Sequence, residues 1–331
     1  MIAFDIIDLC SLKKSNSPNN KRLISLMSLH IETPLIKSQP LSLASGCSAW
    51  LKLEALQPPG SFKIRGIGAA CEYYIQKGAK RLVSSSGGNA GMAVAYAGRF
   101  LSVPVTVVVP ETTTERAKEL LKQEGANVII HGASWHEANE LAMSMLEEND
   151  AFIHPFDDPL VWEGHATMID EVAQSDLKLD AIVLSVGGGG LLCGVVEGLL
   201  RNQLDPVPVI AVETEGAESF HKSQLAGKIV NLENISSVAS SLGAKQICKR
   251  AFQISKEHQI ISVVVSDKSA LIACERFLND HRILVEPACG AALALAYDRS
   301  PVLDKFDNIL FIVCGGATAT IDQIRQWLAR S

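Results

Sequence analysis

Lys63 stands in a segment whose residue types suit covalent chemistry with a carbonyl compound. Pro58, Pro59 and Gly60 form a rigid turn that delivers the lysine to the predicted first turn of a helix. A helix N-terminus carries partial positive charge, so a lysine there is poorly placed unless an anion or a covalent partner neutralises it. Desolvation lowers a lysine pKa and makes the neutral amine a nucleophile for Schiff-base formation. The alternative is a surface lysine in a proline turn.

A second segment, residues 84–91, is rich in hydroxyls and glycine and connects a predicted strand to a predicted helix over residues 91–100. Backbone N–H groups and hydroxyls at such a turn form a concavity that suits a carboxylate. Asn89 could also donate a hydrogen bond to a phenolate oxygen. The alternative is an ordinary turn in which Asn89 only caps the helix.

Four consecutive glycines, Gly187, Gly188, Gly189 and Gly190, also lie between an apolar strand and a helix. Such a run has a high unfolded-state entropy, which a phosphate cradled by its N–H groups would compensate. The glycine spacing does not match a dinucleotide fingerprint, and Val195 follows Gly194 where a nucleotide-triphosphate loop has lysine. The loop therefore favours a phosphate monoester.

Cys314 ends the last predicted strand, at the edge where α/β sheets bind their ligands. A small thiol there could face the nitrogen of a ring. The alternative is an inert buried cysteine.

Alternating short β-branched runs and helical stretches predict an α/β fold with a parallel sheet covered by helices on both faces. The predicted strands are residues 81–84, 105–109, 128–130, 181–185, 209–213, 261–265 and 309–313. The predicted helices are residues 114–124, 135–149, 191–202, 267–280 and 319–330. Residues 155–164, with three acids and two prolines, are interpreted as a connection between two structural units, and a domain boundary is placed near them.

The bulk composition excludes several classes of function. The chain has 331 residues, 47% of them hydrophobic, and a net charge of −6, which argues against nucleic acid as a partner. Residues 1–17 lack the charge order of a secretory signal, and no apolar stretch is long enough to span a membrane. The cysteines occur singly, as in proteins of a reducing cytosol: they are Cys10, Cys47, Cys71, Cys193, Cys248, Cys274, Cys289 and Cys314.

Together these segments closely resemble the serine dehydratase family of fold-type II pyridoxal-phosphate enzymes, which have a tryptophan synthase β-like fold. The resemblance covers nearly the whole chain. Beyond the segments above it includes residues 155–160, 162–165, 214–217 and 285–292. It implies two domains with mostly parallel twisted sheets: a large cofactor-binding domain from residues 1–56 and 161–331, and a small domain from residues 57–160. The active site would lie in the cleft between them.

The resemblance also implies a role for each matching residue. Lys63 would hold the pyridoxal phosphate as a Schiff base and Phe62 would lie against one face of its ring. Asn89 would bind the O3′ oxygen, Gly187 to Gly190 with Leu191 would bind the phosphate, and Cys314 would face the pyridine nitrogen. Ser86, Gly87 and Asn89 would hold the substrate carboxylate.

Two further features follow from the resemblance. A monovalent cation, usually potassium, would lie near the phosphate loop, bound by Glu213, Ala217, Leu242 and Ala244. Family members carry either alanine or glycine at the position of Gly87. Because that residue adjoins the substrate, the missing methyl is expected to shift the balance of rates among small amino acids by about 1–3 kcal/mol.

The activity that the resemblance implies is the α,β-elimination of L-serine to pyruvate and ammonia, and of L-threonine to 2-oxobutanoate. Lys63, freed from the cofactor, would remove the Cα proton, and the cofactor phosphate would protonate the leaving hydroxide. A cytoplasmic homodimer that feeds pyruvate to gluconeogenesis is the expected setting. The rivals are serine racemase, β-substituting sulfhydrylases and threonine synthase, together with a catalytically silent amino-acid-binding module.

Overall fold

A computed structural model describes residues 28–330 of the chain. Three predictions fall wholly or partly outside this range. They are the absence of a secretory signal in residues 1–17, the placing of Cys10 among the singly occurring cysteines, and the first half of the segment 1–56 that was assigned to the large domain.

The larger of two sheets has six strands, whose burial follows their position. The strands are β1 Leu35–Lys37, β2 Ser48–Lys52, β7 Ala181–Ser185, β8 Val209–Thr214, β9 Ile260–Val265 and β10 Asn308–Ile312. Their order is β1-β2-β10-β7-β8-β9. All neighbours pair in parallel except β1, which is antiparallel to β2. Strands β7 and β8 are buried at every residue, because helices cover both faces of the sheet centre.

The smaller sheet has four parallel strands in the order β5-β4-β3-β6. Their bounds are β3 Arg81–Ser84, β4 Val105–Val109, β5 Asn127–Ile130 and β6 Asp150–Phe152. The β4 sequence VTVVV is buried at all five residues. Continuous β-branched burial of this kind is typical of a strand with helices on both of its faces.

Twelve α-helices surround the sheets within residues 28–330, and none of them is both long and apolar enough to cross a membrane. They are α1 Gln39–Ser45, α2 Lys63–Gln76, α3 Asn89–Leu101, α4 Glu115–Gln123, α5 Trp135–Ser144, α6 Pro159–Ala173, α7 Gly190–Arg201, α8 Ser219–Ala226, α9 Lys249–Glu257, α10 Asp267–His281, α11 Pro287–Tyr297 and α12 Ile321–Leu328. Short 3-10 helices cover Glu54–Leu56, Ser240–Leu242 and Pro301–Leu303.

Helix α11 lies at the centre of the larger core. Every residue from Pro287 to Tyr297 is buried, and the helix contacts α10 and strands β7, β8 and β10. Its sequence PACGAALALAY has no polar face, which is the pattern of a helix enclosed on all sides. The residue just before it, Glu286, is therefore carried into the interior with the helix N-terminus.

All seven predicted strands are present, with ends that differ by at most one residue, but β1, β2 and β6 were not predicted. The prediction of a helix over 135–149 was wrong beyond Ser144. Residues 147–150 are acidic except for Asn149, and negative charge at a helix C-terminus is unfavourable. The chain turns there and forms β6 instead.

The interpretation of residues 155–164 as a connection was also wrong in its second half. Helix α6 begins at Pro159, where a missing N–H is tolerated, and the Asp158 side chain caps it by accepting from the N–H of Leu160 at 2.8 Å. The sheets are mostly parallel, as the resemblance implied, and the short edge strand β1 is the antiparallel exception.

Candidate active site

Lys63 is the first residue of α2, as its turn predicted. Its Nζ donates a hydrogen bond to the carbonyl oxygen of Pro155 at 2.7 Å and lies 5.1 Å from the centre of the Phe62 ring. Burial lowers the pKa of Lys63 to about 8, while the nearby Cys314 and Glu286 act in the opposite direction. A large share of this amine is therefore neutral, and nucleophilic, near pH 8.

Backbone pairing holds the lysine turn against the end of β10. The N–H of Phe62 donates to the carbonyl of Cys314 at 3.1 Å, and the N–H of Gly316 donates to the carbonyl of Gly60 at 2.9 Å. Ser61 and Gly315 form an antiparallel bridge between these two bonds. A Cβ on Gly315 would stand 2.3 Å from the Gly60 oxygen, so this close approach requires glycine.

The glycine loop has the features of an anion cradle. Within residues 28–330, no protein group accepts a hydrogen bond from the N–H groups of residues 187–191. Gly189, Gly190 and Leu191 are nevertheless buried. Buried N–H groups at a helix N-terminus need a partner, and a phosphate is the ligand that suits several at once. Gly189 also adopts φ +97°, a left-handed conformation that glycine reaches without strain.

The segment 154–156 connects the lysine to this loop. Pro155 accepts the bond from Lys63, and the Phe156 ring fills the space that a Cβ on Gly188 would occupy, at 2.5 Å. The Nδ1 atom of His154 accepts hydrogen bonds from the N–H groups of Phe156 and Asp157 at 3.3 and 2.8 Å. His154 thus shapes this turn.

The turn before α3 offers a second set of free donors. Among the described residues, the N–H groups of Gly87 and Asn89 meet no protein acceptor, whereas Gly88 donates to the Ser86 hydroxyl at 3.3 Å. The arrangement suits a carboxylate bound to the turn.

Asn89 has a partner that the sequence did not indicate. Its Nδ2 donates to Oε1 of Glu286 at 2.7 Å, and its Oδ1 accepts from the N–H of Ala317 at 3.3 Å. These two bonds fix the orientation of the amide and leave one Nδ2 hydrogen for a further acceptor. Glu286 is 4% exposed, and burial raises its pKa to about 7 against the hydrogen bonds from Ser241 and Asn89.

We expect Glu286→Gln to remove a pH-dependent loss of stability. The stabilisation associated with protonated Glu286 is complete below its ordinary pKa of 4.5 and is lost as the pH rises through about 7. Relative to wild type, the variant should gain up to about 3 kcal/mol in free energy of unfolding by about pH 8. Urea unfolding of both proteins from about pH 4 to pH 8 measures this. If the difference in free energy of unfolding between the two proteins stayed constant over this pH range, the prediction would be contradicted.

Cys314 lies just after β10 and is buried, in contact with Cys289. The hydrogen bond with Cys289 and burial raise the pKa of Cys314 well above its ordinary value. Cys314 is therefore a neutral thiol.

The residues proposed for the cation include one carboxylate, that of Glu213. Glu213 ends β8 fully buried, with its carboxylate accepting from the N–H groups of Phe220 and His221 at 2.8 and 2.7 Å. Burial raises its pKa to about 8. Leu242 lies beneath the glycine loop, where a Cβ on Gly187 would stand 3.1 Å from its Cα.

Three contributors were missed by the sequence analysis: Glu286, the carbonyl of Pro155, and His165. His165 is fully buried, its Nδ1 accepts from the N–H of Gly66 at 3.1 Å, and its ring lies 4.8 Å from that of Phe62. Glu286 had one available signal, an acid directly before an entirely apolar helix. Nothing in the sequence indicated the other two roles.

A half-buried lysine with a lowered pKa, linked through Pro155 and Phe156 to a loop of unpaired N–H groups, fits a phosphorylated aldehyde. Lys63 would hold its carbonyl carbon, and the N–H groups of residues 187–191 would hold its phosphate. The α/β fold and this site together define an enzyme of the pyridoxal-phosphate class.

Comparison with known proteins agrees with that class. Residues 26–315 match the family model described as "Pyridoxal-phosphate dependent enzyme". The human "L-serine dehydratase/L-threonine deaminase" is 48% identical over 90% of this chain and 94% of its own length. The crystal structure of an L-serine ammonia-lyase from Rhizomucor miehei is 35% identical, with a TM-score of 0.86, covering 91% of this chain and 99% of that one.

A third similar structure is the serine racemase from Dictyostelium discoideum, 28% identical with a TM-score of 0.79, covering 91% of this chain and 96% of that one. The chain belongs to the pyridoxal-phosphate dependent enzyme family. The predicted fold-type II class and the resemblance to serine dehydratases are both confirmed.

Proposed function

We propose that this chain dehydrates and deaminates L-serine, and also L-threonine, to give pyruvate or 2-oxobutanoate with ammonia. The observation that carries the proposal is the position of the Lys63 amine beside the unpaired N–H groups of the glycine loop, bridged by the segment 154–156. The names of the human and fungal relatives support these substrates.

Each residue of the site has a task in this reaction. The N–H groups of Gly87 and Asn89 hold the substrate carboxylate, which places the Cα hydrogen toward Lys63. The lowered pKa of Lys63 makes its neutral amine available to take that proton as general base. Pyridoxal phosphate would supply the electron sink for the carbon that loses the proton. Glu286 keeps the Asn89 amide in the orientation that this geometry requires.

The neutral thiol of Cys314 favours elimination over racemisation. A carboxylate facing a ring nitrogen stabilises positive charge there and prolongs a carbanion, whereas a thiol with a raised pKa does not. Loss of the β-hydroxyl therefore competes well with reprotonation at Cα. The serine racemase of similar fold supplies the rival activity.

The test is to incubate the purified holoenzyme with L-serine and to measure pyruvate, D-serine and, with sulfide present, cysteine. We expect pyruvate to dominate, and slower formation of 2-oxobutanoate from L-threonine. Dominant D-serine would overturn the lyase proposal in favour of a racemase. A protein that stays colourless with excess pyridoxal phosphate and converts neither amino acid would indicate a silent binding module.

We propose a potassium ion at Glu213, Ala217, Leu242 and Ala244, tested by comparing rates in sodium and potassium. Two separate sheets support the proposed division into residues 1–56 with 161–331 and residues 57–160. A cytoplasmic homodimer, to be tested by light scattering, and a role in supplying pyruvate for gluconeogenesis complete the proposal.

A further inference from the structure

Gly87 and Thr113 lie side by side although they come from different loops. Strands β3 and β4 are parallel neighbours, with Ser84 paired to Val107, so the loops that follow them meet at the same edge of the smaller sheet. One loop is the carboxylate turn with Gly87, and the other ends in Thr113 before α4. Both residues are partly exposed there.

The Thr113 side chain occupies the space in which a side chain at position 87 would lie. A Cβ on Gly87 would stand 2.7 Å from Cγ2 and 2.9 Å from Oγ1 of Thr113, with Cγ1 of Val109 at 3.3 Å. Threonine carries two heavy atoms on its Cβ, so every staggered rotamer leaves at least one of them toward this point. An alanine at position 87 is thus incompatible with Thr113 as it lies here.

The hydroxyl of Thr113 is also uncommitted. Among residues 28–330 it makes no hydrogen bond, while the backbone N–H of Thr113 donates to the Pro110 carbonyl at 3.0 Å. A free hydroxyl and a methyl group therefore face the turn in which, among the described residues, the N–H groups of Gly87 and Asn89 are also free.

We propose that Thr113 is a specificity-determining residue: its side chain forms the pocket wall at the carboxylate turn in place of a side chain at position 87. It limits the room beside the substrate and so sets the preference between L-serine and the larger L-threonine. This inference rests on the proposed function. Gly87 has no side chain, so Thr113, in the β4–α4 loop, forms this part of the pocket wall instead.

The test uses Thr113→Ser, which removes the methyl group, and Thr113→Val, which keeps the shape and removes the hydroxyl. With holoenzyme, Thr113→Ser should raise the ratio of kcat/KM for L-threonine to that for L-serine about tenfold, the value of one methyl group in a pocket. Thr113→Val should leave the ratio within about threefold of wild type, whatever its effect on KM.

The steric pairing has a separate readout in stability. Gly87→Ala should lower the midpoint of thermal unfolding. The double variant Gly87→Ala with Thr113→Ser should recover most of that loss, because serine can turn its single heavy atom away, whereas Gly87→Ala with Thr113→Val should not. Neighbours that couple in this way confirm the contact independently of turnover.

The outcomes separate the two proposals. An unchanged ratio in Thr113→Ser, or additive effects on stability in the double variants, would overturn the assignment of Thr113 while leaving the lyase intact. A wild-type holoenzyme inert toward both amino acids would overturn the proposed function, and the role of Thr113 with it.

Discussion

Replacing Lys63 by alanine is expected to abolish turnover of L-serine. In the proposed reaction Lys63 is both the amine that condenses with an aldehyde and the base for the Cα proton, so loss of Lys63 should lower kcat by at least about a thousandfold. The visible absorbance of the isolated protein should disappear with the amine. Pyruvate formation and the absorption spectrum of wild type and variant measure the two effects.

Two further measurements make this result specific. An added primary amine such as methylamine should restore part of the activity of Lys63→Ala, because it can replace the missing base. The control is Lys77→Ala at the exposed C-terminal end of the same helix α2, which should keep full activity and colour. A Lys63→Ala protein that stays coloured and active would show that another residue carries the chemistry.

The largest effect on stability is expected from Arg65→Met. Arg65 is fully buried two residues after Lys63, and its guanidinium binds Glu54 from Nε at 2.7 Å and Glu171 from Nη1 at 2.5 Å. Lys52, also buried, pairs with Glu171, and its Nζ donates to the Thr33 carbonyl at 2.6 Å. Two cations and two carboxylates thus form a buried network between β2, α2 and α6.

Removing Arg65 leaves the fully buried Glu54 without a cation. Breaking a buried ion pair from one side costs about 3–5 kcal/mol, because the remaining charge is neither solvated nor paired. We therefore expect Arg65→Met to lower the free energy of unfolding by that amount in urea titrations. Arg65→Lys keeps the charge but loses the bidentate geometry, so its free energy of unfolding should lie between those of wild type and Arg65→Met.

The matched control is Arg81→Met, which removes the pair with Asp150 on β6. The residue left behind, Asp150, is 5% exposed beneath the 26%-exposed Arg81 side chain, so removal of Arg81 opens it to water. Asp150 also keeps a hydrogen bond from the N–H of Glu147 at 2.7 Å, and the cost should be at most about 1 kcal/mol. If Arg65→Met and Arg81→Met lowered the free energy of unfolding equally, the role given to the buried network would be contradicted. That network fixes the first turn of α2, and hence the backbone position from which the Lys63 side chain extends.

The sequence was sufficient wherever a feature depends on neighbours along the chain. Apolar, β-branched runs predicted seven strands to within one residue, because such a run can be buried only with both faces covered. The tetraglycine loop was equally visible, since a strand followed by glycine and a helix defines an anion site locally. The Pro58-Pro59-Gly60 turn likewise placed Lys63 correctly at the start of a helix.

Errors in the prediction of secondary structure arose where a local pattern competes with the demands of packing. The helix predicted over residues 135–149 stops at Ser144, because the acidic residues 147, 148 and 150 disfavour a helix C-terminus and the chain there forms β6 at the edge of the smaller sheet. Strands β1 and β2 are short, and their place was set by β10, a partner more than 250 residues away.

Tertiary structure alone decided how the site is completed. Glu286 meets Asn89 across 197 residues, Lys63 meets the Pro155 carbonyl across 92, and Thr113 meets Gly87 from a neighbouring loop. The sequence itself determined the lysine turn and the glycine loop, because each is made of residues adjacent in the chain. The partners that tune pKa values and shape the pocket depend on which loops the two sheets bring to a common edge, and adjacency in the chain does not specify that.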